Sequence, residues 1–406
     1  WVYDLEARYQ EHCGQDLLPQ RRSLFEGDSS RDRQVRRRFW TLIGDLFAER
    51  YVGALQTWCH AHGVASSGHM LHEESLIAKI PLEGNALENL RRMDIPGLDM
   101  LTSDPRAAEW GWLTALLPTS AAMHANRRHV MTEISDFMDG TKVTPAAWLR
   151  AAAAWQAAFG VTEFTLYYRP DRFAAAEYRG YADYIGRLNA VLREARPDPH
   201  VLLYYPVADL MQEYLPIAES ITSAEPRSAR AGEMIASFDR LGGTLVHRQI
   251  PFALADDRAF DLARRAQGRL KIGSGEFDTI LVPRGARLPD SAELQAWIRD
   301  RGRVVYDEGS EQELAERLQG LTPRAQLEPP CQQIVVGWFV REGRPVLLLV
   351  NIGEAKYEGQ VTLPKRGRWE RWDVTSGEIS VLPEGPDGKH KLTLPGLEAV
   401  LLIGEP

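Results

Sequence analysis

Within the first 195 or so residues, a helical pattern is followed by a short apolar run with a polar end, four times over, and this constrains the fold more than any other feature. Val35, Phe39, Leu42, Ile43, Leu46, Phe47, Val52, Leu55 and Trp58 recur at three- and four-residue steps, which predicts a long amphipathic helix with a C-cap at Gly63. Its aromatic stripe reads as core packing. A strand over residues 64–71 follows and finishes in His69, His72, Glu73 and Glu74. A helix over 86–93 leads to a second strand, 98–102, which ends at Ser103-Asp104-Pro105. A loop carrying Trp110 and Trp112 and a helix over 120–126 precede a third strand, 129–131, which runs out into Glu133 and Asp136. The alanine-rich helix 145–159, a fourth strand over 161–168 with Tyr167 near its end, and a helix over 174–195 complete the pattern.

Four such units match one half of an eight-fold barrel. A whole (β/α)8 TIM barrel needs about 250 residues, more than the stretch before residue 197 supplies. The expectation for residues 1–196 is therefore the C-terminal half of a catalytic barrel. A half-barrel leaves strand edges and apolar surface open, and the chain begins at Trp1 in mid-element, so a missing or separate first half is expected. An open doubly wound sheet fits the same alternation.

Residues 197–326 read as a second α/β unit, flavodoxin-like or amidotransferase-like. Its strands are expected at 200–205, 243–250, 279–283 and 303–306, with helices at 229–241, 259–266, 291–300 and 311–318. The Gly273-Ser274-Gly275 run precedes a strand and not a helix, which makes it a plain turn and no phosphate loop. This unit holds no cysteine, which excludes a thiol-based amidotransferase mechanism. Residues 327–406 change to short strands at 334–340, 345–350, 358–363, 367–373, 391–394 and 399–403, the spacing of a small β-sandwich.

Composition narrows the function classes. A net charge of -8 argues against nucleic acid or an anionic membrane as a partner, and Arg36-Arg37-Arg38 reads as a solvated helix face. No apolar run approaches the ~20 residues of a membrane span. Cys13, Cys59 and Cys331 have the spacing of neither a disulfide framework nor a zinc site, and no cofactor is expected. Nothing in the sequence separates a cytoplasmic from a periplasmic location.

In β/α folds chemistry gathers where a strand's carboxyl end meets the next loop, which makes Glu133 the first candidate for a working carboxylate. Glycoside hydrolysis needs two carboxylates from different strand ends, one donating a proton and one attacking or activating water. Glu73, Glu74 and Asp104 are the other acids at strand ends. Each could instead bind sugar hydroxyls, a role that also suits His69, His72, Trp110, Trp112 and Tyr167. His69 and His72 with adjacent acids invite a metal, but on a strand that spacing sends the rings to opposite faces, so no metal is expected.

The motifs Phe39-Trp40, Trp58-Cys59-His60-Ala61-His62-Gly63, Ser67-Gly68-His69 with Glu73-Glu74, Ile95-Pro96-Gly97-Leu98-Asp99, Ser120-Ala121-Ala122-Met123-His124 and Val130-Met131-Thr132-Glu133 resemble clan A glycoside hydrolases. They are most similar to large bacterial enzymes related to family forty-two β-galactosidases and to rhamnosidase-type enzymes. The order of barrel, α/β unit and β-sandwich is similar too. The resemblance implies a retaining hydrolase acting on a carbohydrate, with Glu133 as nucleophile at the end of barrel strand seven. It places the acid/base glutamate at the end of strand four, which no residue of this chain matches; Glu74 is the reserve candidate. The alternative is a non-catalytic carbohydrate-binding or scaffold relative. A homo-oligomer, or association with the missing N-terminal segment, is expected.

Overall fold

The computed structural model describes residues 3–139, 144–167, 173–216, 228–364, 367–385 and 388–406. Helix α1 (Leu5–Cys13) leads to α2 (Ser30–Phe47), which starts where it does because Ser29 and Asp32 form a capping box. One stretch of π-helix, Ala48–Gly53, carries the rod on into α3 (Ala54–Ala61). Val35, Phe39 and Leu42 are buried on α2, as their spacing predicts. The same stripe surfaces on α3, where Trp58 is 59% exposed and Leu55 is exposed with it. Core packing therefore accounts for the first half of the stripe only.

A curled parallel sheet follows, built from β1 (Ser67–Gly68), β2 (Ile95–Met100), β3 (Met131–Ser135) and β4 (Glu163–Tyr167) in chain order. The connections are α4 (Lys79–Glu83) with α5 (Ala86–Arg92), then α6 (Trp112–His124), then α7 (Ala146–Ala158); α8 (Ala175–Leu192) comes after β4. Leu98, Met100 and Ile134 send their side chains into the helical layer, where they are buried. The alternate positions, Asp99 and Glu133, face the other side, because successive strand residues point to opposite faces. Among the described residues β1 pairs only with β2 and β4 only with β3, so this half-barrel keeps both edges open.

The boundaries differ from expectation in ways that matter for the site. The first strand is two residues long, so His69 and His72 lie in a loop, and His72 occupies a left-handed turn conformation (φ 51°). The third strand starts at Met131 and runs to Ser135, which puts Glu133 inside it and not beyond it. The helix expected at 120–126 begins at Trp112, because a segment buried on every side, its few polar residues included, carries no amphipathic signature.

Strand β5 (Arg196–Pro197) closes the first unit by pairing with a C-terminal strand described below. Next come β6 (Val201–Tyr204), α9 (Val207–Glu213), α10 (Ala229–His247), β7 (Phe252–Ala255) and α11 (Asp257–Asp261). A small antiparallel meander, β8 (Arg264–Ala266), β9 (Arg269–Ile272) and β10 (Gly275–Phe277), is followed by β11 (Thr279–Val282), α12 (Ala292–Arg299), β12 (Arg303–Tyr306) and α13 (Glu311–Gln319). Four of these strands form a parallel sheet in the order β12-β11-β6-β7. The strand expected at 243–250 is instead the end of α10: Phe238, Leu241 and Leu245 are buried at helical, not alternating, spacing. The helix expected at 259–266 splits into α11 and β8. Gly273 is a turn residue, as expected, and its turn docks on α6: the Ser274 N–H donates to the Met123 carbonyl (3.1 Å), and a Cβ on Gly273 would stand 2.1 Å from that oxygen.

The C-terminal strands are β13 (Gln326–Glu328), β14 (Ile334–Arg341), β15 (Arg344–Asn351), β16 (Tyr357–Thr362), β17 (Trp369–Asp373), β18 (Ile379–Leu382), β19 (Lys389–Leu394) and β20 (Ala399–Gly404). They make an antiparallel sheet β18-β17-β20-β15-β14-β5 and a smaller one, β13-β16-β19. Strand β15 is buried on both faces. Leu347 and Leu349 face the small sheet, while Val346, Leu348 and Val350 pack on the alanine face of α7. Contact there is at backbone distance: a Cβ on Gly337 would come within 2.4 Å of the Ala158 carbonyl oxygen. The run Ala151–Ala154 thus does more than favour a helix; it lets a sheet lie directly on one.

Candidate active site

Asp99 and Glu133 are partners in the β2–β3 ladder, and Thr165 continues the row on β4. In-register residues of parallel strands face the same way, so the two carboxylates share the concave side of the sheet. His69, in the loop after β1, completes the group: its Nε2 is 3.7 Å from Glu133 Oε2. Glu133 is 27% exposed and His69 29%, reachable by solvent yet walled by protein. The His69 Nδ1–H donates to the Met70 carbonyl (2.8 Å), which turns Nε2 toward the carboxylates. A hydroxyl set off the line between Nε2 and Oε2 can reach both at hydrogen-bond distance. One ligand atom from each of His69, Asp99 and Glu133 falls within 4.8 Å of the others, a spacing that also suits a divalent cation.

Behind this group lies a buried ionic cluster that fixes the loop. Glu73 is 3% exposed; its carboxylate accepts the Met70 N–H (3.0 Å) on one oxygen and the Asp99 N–H (2.9 Å) on the other. Lys79 is fully buried, donates to the Leu71 carbonyl and stands 3.8 Å from Glu83, which in turn accepts the Leu71 N–H. Burial pushes Glu73 up to about 8 against the opposing pull of Lys79, and burial also raises Glu83 and lowers Lys79. Burial likewise raises Asp99, opposed by His69 and reinforced by the Glu133 charge.

The structure sorts the sequence candidates. Glu133 and His69 meet in one group. Glu73 stands behind it and spends both oxygens on backbone amides, so it positions the site instead of facing a sugar. Glu74 and His72 pair with each other (3.2 Å) outside the group, with Glu74 exposed. Asp104 caps the short helix Pro105–Glu109, accepting from the Arg106 amide (2.9 Å) and pairing with its guanidinium (2.8 Å). Trp112 is 3% exposed, packed against Phe238 and Phe252, and leaves the set of sugar-binding candidates because its ring faces are already covered. Trp110 and Tyr167 are both exposed. Sequence reasoning missed Asp99. Its signal was a lone acid between the buried Leu98 and Met100, the alternation of a strand with one apolar and one polar face.

An open-edged parallel half-barrel with two carboxylates and a histidine on its concave side resembles the clan A glycoside hydrolases in fold. Among solved structures the chain is similar to a rhamnosidase from Novosphingobium sp. PP1Y, with a TM-score of 0.67 at 16% identity over 100% of this chain. It is also similar to Gan42B, a GH42 β-galactosidase from G. stearothermophilus, with a TM-score of 0.64 at 9% identity over 99% of this chain. A β-galactosidase from Bacillus circulans sp. alkalophilus gives a TM-score of 0.56 at 11% identity. The chain spans 43% of the rhamnosidase and 75% of Gan42B. No protein-family profile matches the sequence, and no curated protein is similar to it.

Proposed function

We propose that this chain carries the nucleophile half of a retaining glycoside hydrolase that removes a terminal sugar, β-galactosidase-like or rhamnosidase-like, with Glu133 as the nucleophile. The single observation behind the reading is the placement of the Glu133 carboxylate on the concave side of the half-barrel, beside Asp99 and His69. The Glu133 oxygen attacks the anomeric carbon as the glycosidic C–O bond breaks, and a proton from a second carboxylic acid goes to the leaving oxygen. Water then opens the glycosyl ester, giving its proton back to that second group. His69 and Asp99 hold sugar hydroxyls. The proton donor comes with a further β/α segment added at the open β1 edge, beside the exposed face of α3; this addition also covers Trp58 and Leu55. Residues 1–196 form the catalytic half-barrel in this reading, 197–326 a flavodoxin-like unit that serves assembly, and 327–406 a β-sandwich.

The test is a screen of nitrophenyl β-galactosides and α-rhamnosides with the full-length protein and its Glu133→Ala variant. Turnover lost in the variant and regained with azide, which replaces the missing nucleophile and gives a glycosyl azide, supports the assignment. Unchanged turnover removes it. The spacing of His69, Asp99 and Glu133 favours a second reading, in which a divalent cation binds this trio and the sugar binds the cation.

A further inference from the structure

The Arg36-Arg37-Arg38 run on α2 does not form a uniform solvated face. Arg36 turns inward and is buried. Its Nε donates to the Gln212 carbonyl (2.7 Å), and its Nη1 to the carbonyls of Ser23 and Gly27 (3.0 Å each). No carboxylate hydrogen-bonds it among the described residues; its hydrogen bonds go to carbonyls, with the Glu213, Asp32 and Asp28 charges acting from further off. Arg37 and Arg38 turn outward and, with Arg31, His12, Gln34 and Gln212, line a groove of about 650 Å³ at the seam between α2 and α9.

No acid lines this groove. Asp257 is paired with Arg37 (3.0 Å), Asp28 with Arg33 (2.5 Å), and Asp32 accepts the Ser29 amide at the start of α2 (3.0 Å). Arg38 donates to the neutral Gln15 oxygen (3.0 Å), and Arg31 has no ion pair or hydrogen bond among the described residues. Three outward guanidiniums thus line a groove that no acid lines, and of the three only Arg37 has a carboxylate partner, in a chain whose net charge is -8. A concavity lined by cations and by no anion attracts anions, and the guanidinium fork matches tetrahedral oxyanions.

From this geometry we infer that the groove binds a sugar carrying a sulfate or phosphate ester. Its volume suits one or two rings. The hydroxyls of Ser30 and Thr41 and the amides of Gln34 and Gln212 supply partners for sugar hydroxyls. A single-stranded nucleic acid would need an aromatic platform for its bases, which the lining lacks, and the net negative charge opposes a duplex. The groove shares no residue with the Glu133 group, so this inference stands apart from the proposed hydrolysis.

Isothermal titration of the full chain at low ionic strength, with galactose 6-sulfate, galactose 6-phosphate and galactose, tests it. The expected result is that at least one ester binds more than tenfold tighter than galactose. The Arg31→Gln/Arg38→Gln double variant, its helicity checked by circular dichroism, loses at least tenfold in that affinity, and Glu133→Gln loses none. The ester that binds tighter identifies the source of the oxyanion. Equal binding of ester and neutral sugar overturns the inference. So does an unchanged affinity in the folded double variant, a loss in Glu133→Gln, or tighter binding of a duplex oligonucleotide than of either ester.

Discussion

Asp99 and Glu133 stand opposite one another on adjacent parallel strands, and each is the one acid its strand turns toward the concave side. Burial raises Asp99 from its ordinary value, His69 opposes that shift and the Glu133 charge adds to it. In the proposed reaction Asp99 accepts a sugar hydroxyl whose hydrogen bond strengthens at the transition state. Asp99→Asn in the full-length protein should lower kcat by about a hundredfold with little change in KM or thermal midpoint. Steady-state kinetics that leave kcat intact would remove Asp99 from the site.

The cluster behind His69 makes a stability prediction. In Glu73→Gln the amide can accept only one of the two backbone N–H groups and turns its own N–H2 toward the other. The expected loss is about 1–3 kcal/mol. Lys79→Met leaves two buried carboxyls without their cation and should cost about 3–5 kcal/mol. Urea midpoints for the two variants check the order; a Lys79→Met protein as stable as the parent would show that the lysine is dispensable.

Between the half-barrel and the second unit, Arg91 holds Asp256 with two hydrogen bonds, Nη1 to Oδ1 (2.8 Å) and Nη2 to Oδ2 (2.9 Å), both side chains buried. Asp256→Ala leaves Glu88 (2.9 Å) as the partner of the Arg91 charge and also removes the cap of α11, so a loss of about 2–4 kcal/mol is expected. A double-mutant cycle with Arg91→Met should return part of that loss. Additive effects would mean that the pair contributes nothing as a pair.

His124 packs against the same pair, its Nδ1 3.4 Å from Arg91 Nη1, and burial beside that charge depresses it from 6.5 to about 3. Between those values the unfolded chain takes up a proton that the folded chain refuses. Stability from this group is therefore complete above pH 6.5 and falls as pH falls toward 3, at up to about 1.4 kcal/mol per pH unit. The folded carboxyls raised by burial, Glu73 and Asp209 among them, act in the opposite direction, so the informative quantity is a difference. Urea unfolding of parent and His124→Gln between pH 7 and pH 4 should show the flatter dependence in the variant; parallel curves would mean that His124 does not titrate as stated.

The cation reading of the site has its own measurement. Calcium or zinc bound by His69, Asp99 and Glu133 should raise the thermal midpoint of the parent chain and leave that of Asp99→Asn nearly unchanged. A midpoint insensitive to both metals in the parent would reserve the trio for sugar.

Much of the first sheet was legible because its strands alternate with strongly periodic helices; α5, α7 and α8 lie within a few residues of their expected positions. Glu133 was legible from position alone. Asp99 was not, because a one-sided strand of six residues was read as an apolar run with its polar end further on. The role of Glu73 was hidden for a different reason: only packing shows that a loop acid is buried, and its partners Met70 and Asp99 come from two segments. Trp112 misled because a helix buried on every side shows no one-sided period, so its first turn read as loop. The α10 segment misled in the opposite sense, since glycines at 242 and 243 suggested a break that the helix in fact runs through. Gly242 makes room there for the Trp112 ring, which a Cβ would meet at 2.1 Å.

Gly337 sits directly on the Ala158 carbonyl, so at that point no side chain separates the C-terminal sheet from α7, the helix that joins β3 to β4. That sheet is a rigid backstop for the strand bearing Glu133. The surroundings of the Glu133 strand thus include residues more than 200 positions further along the chain, reached through one helix.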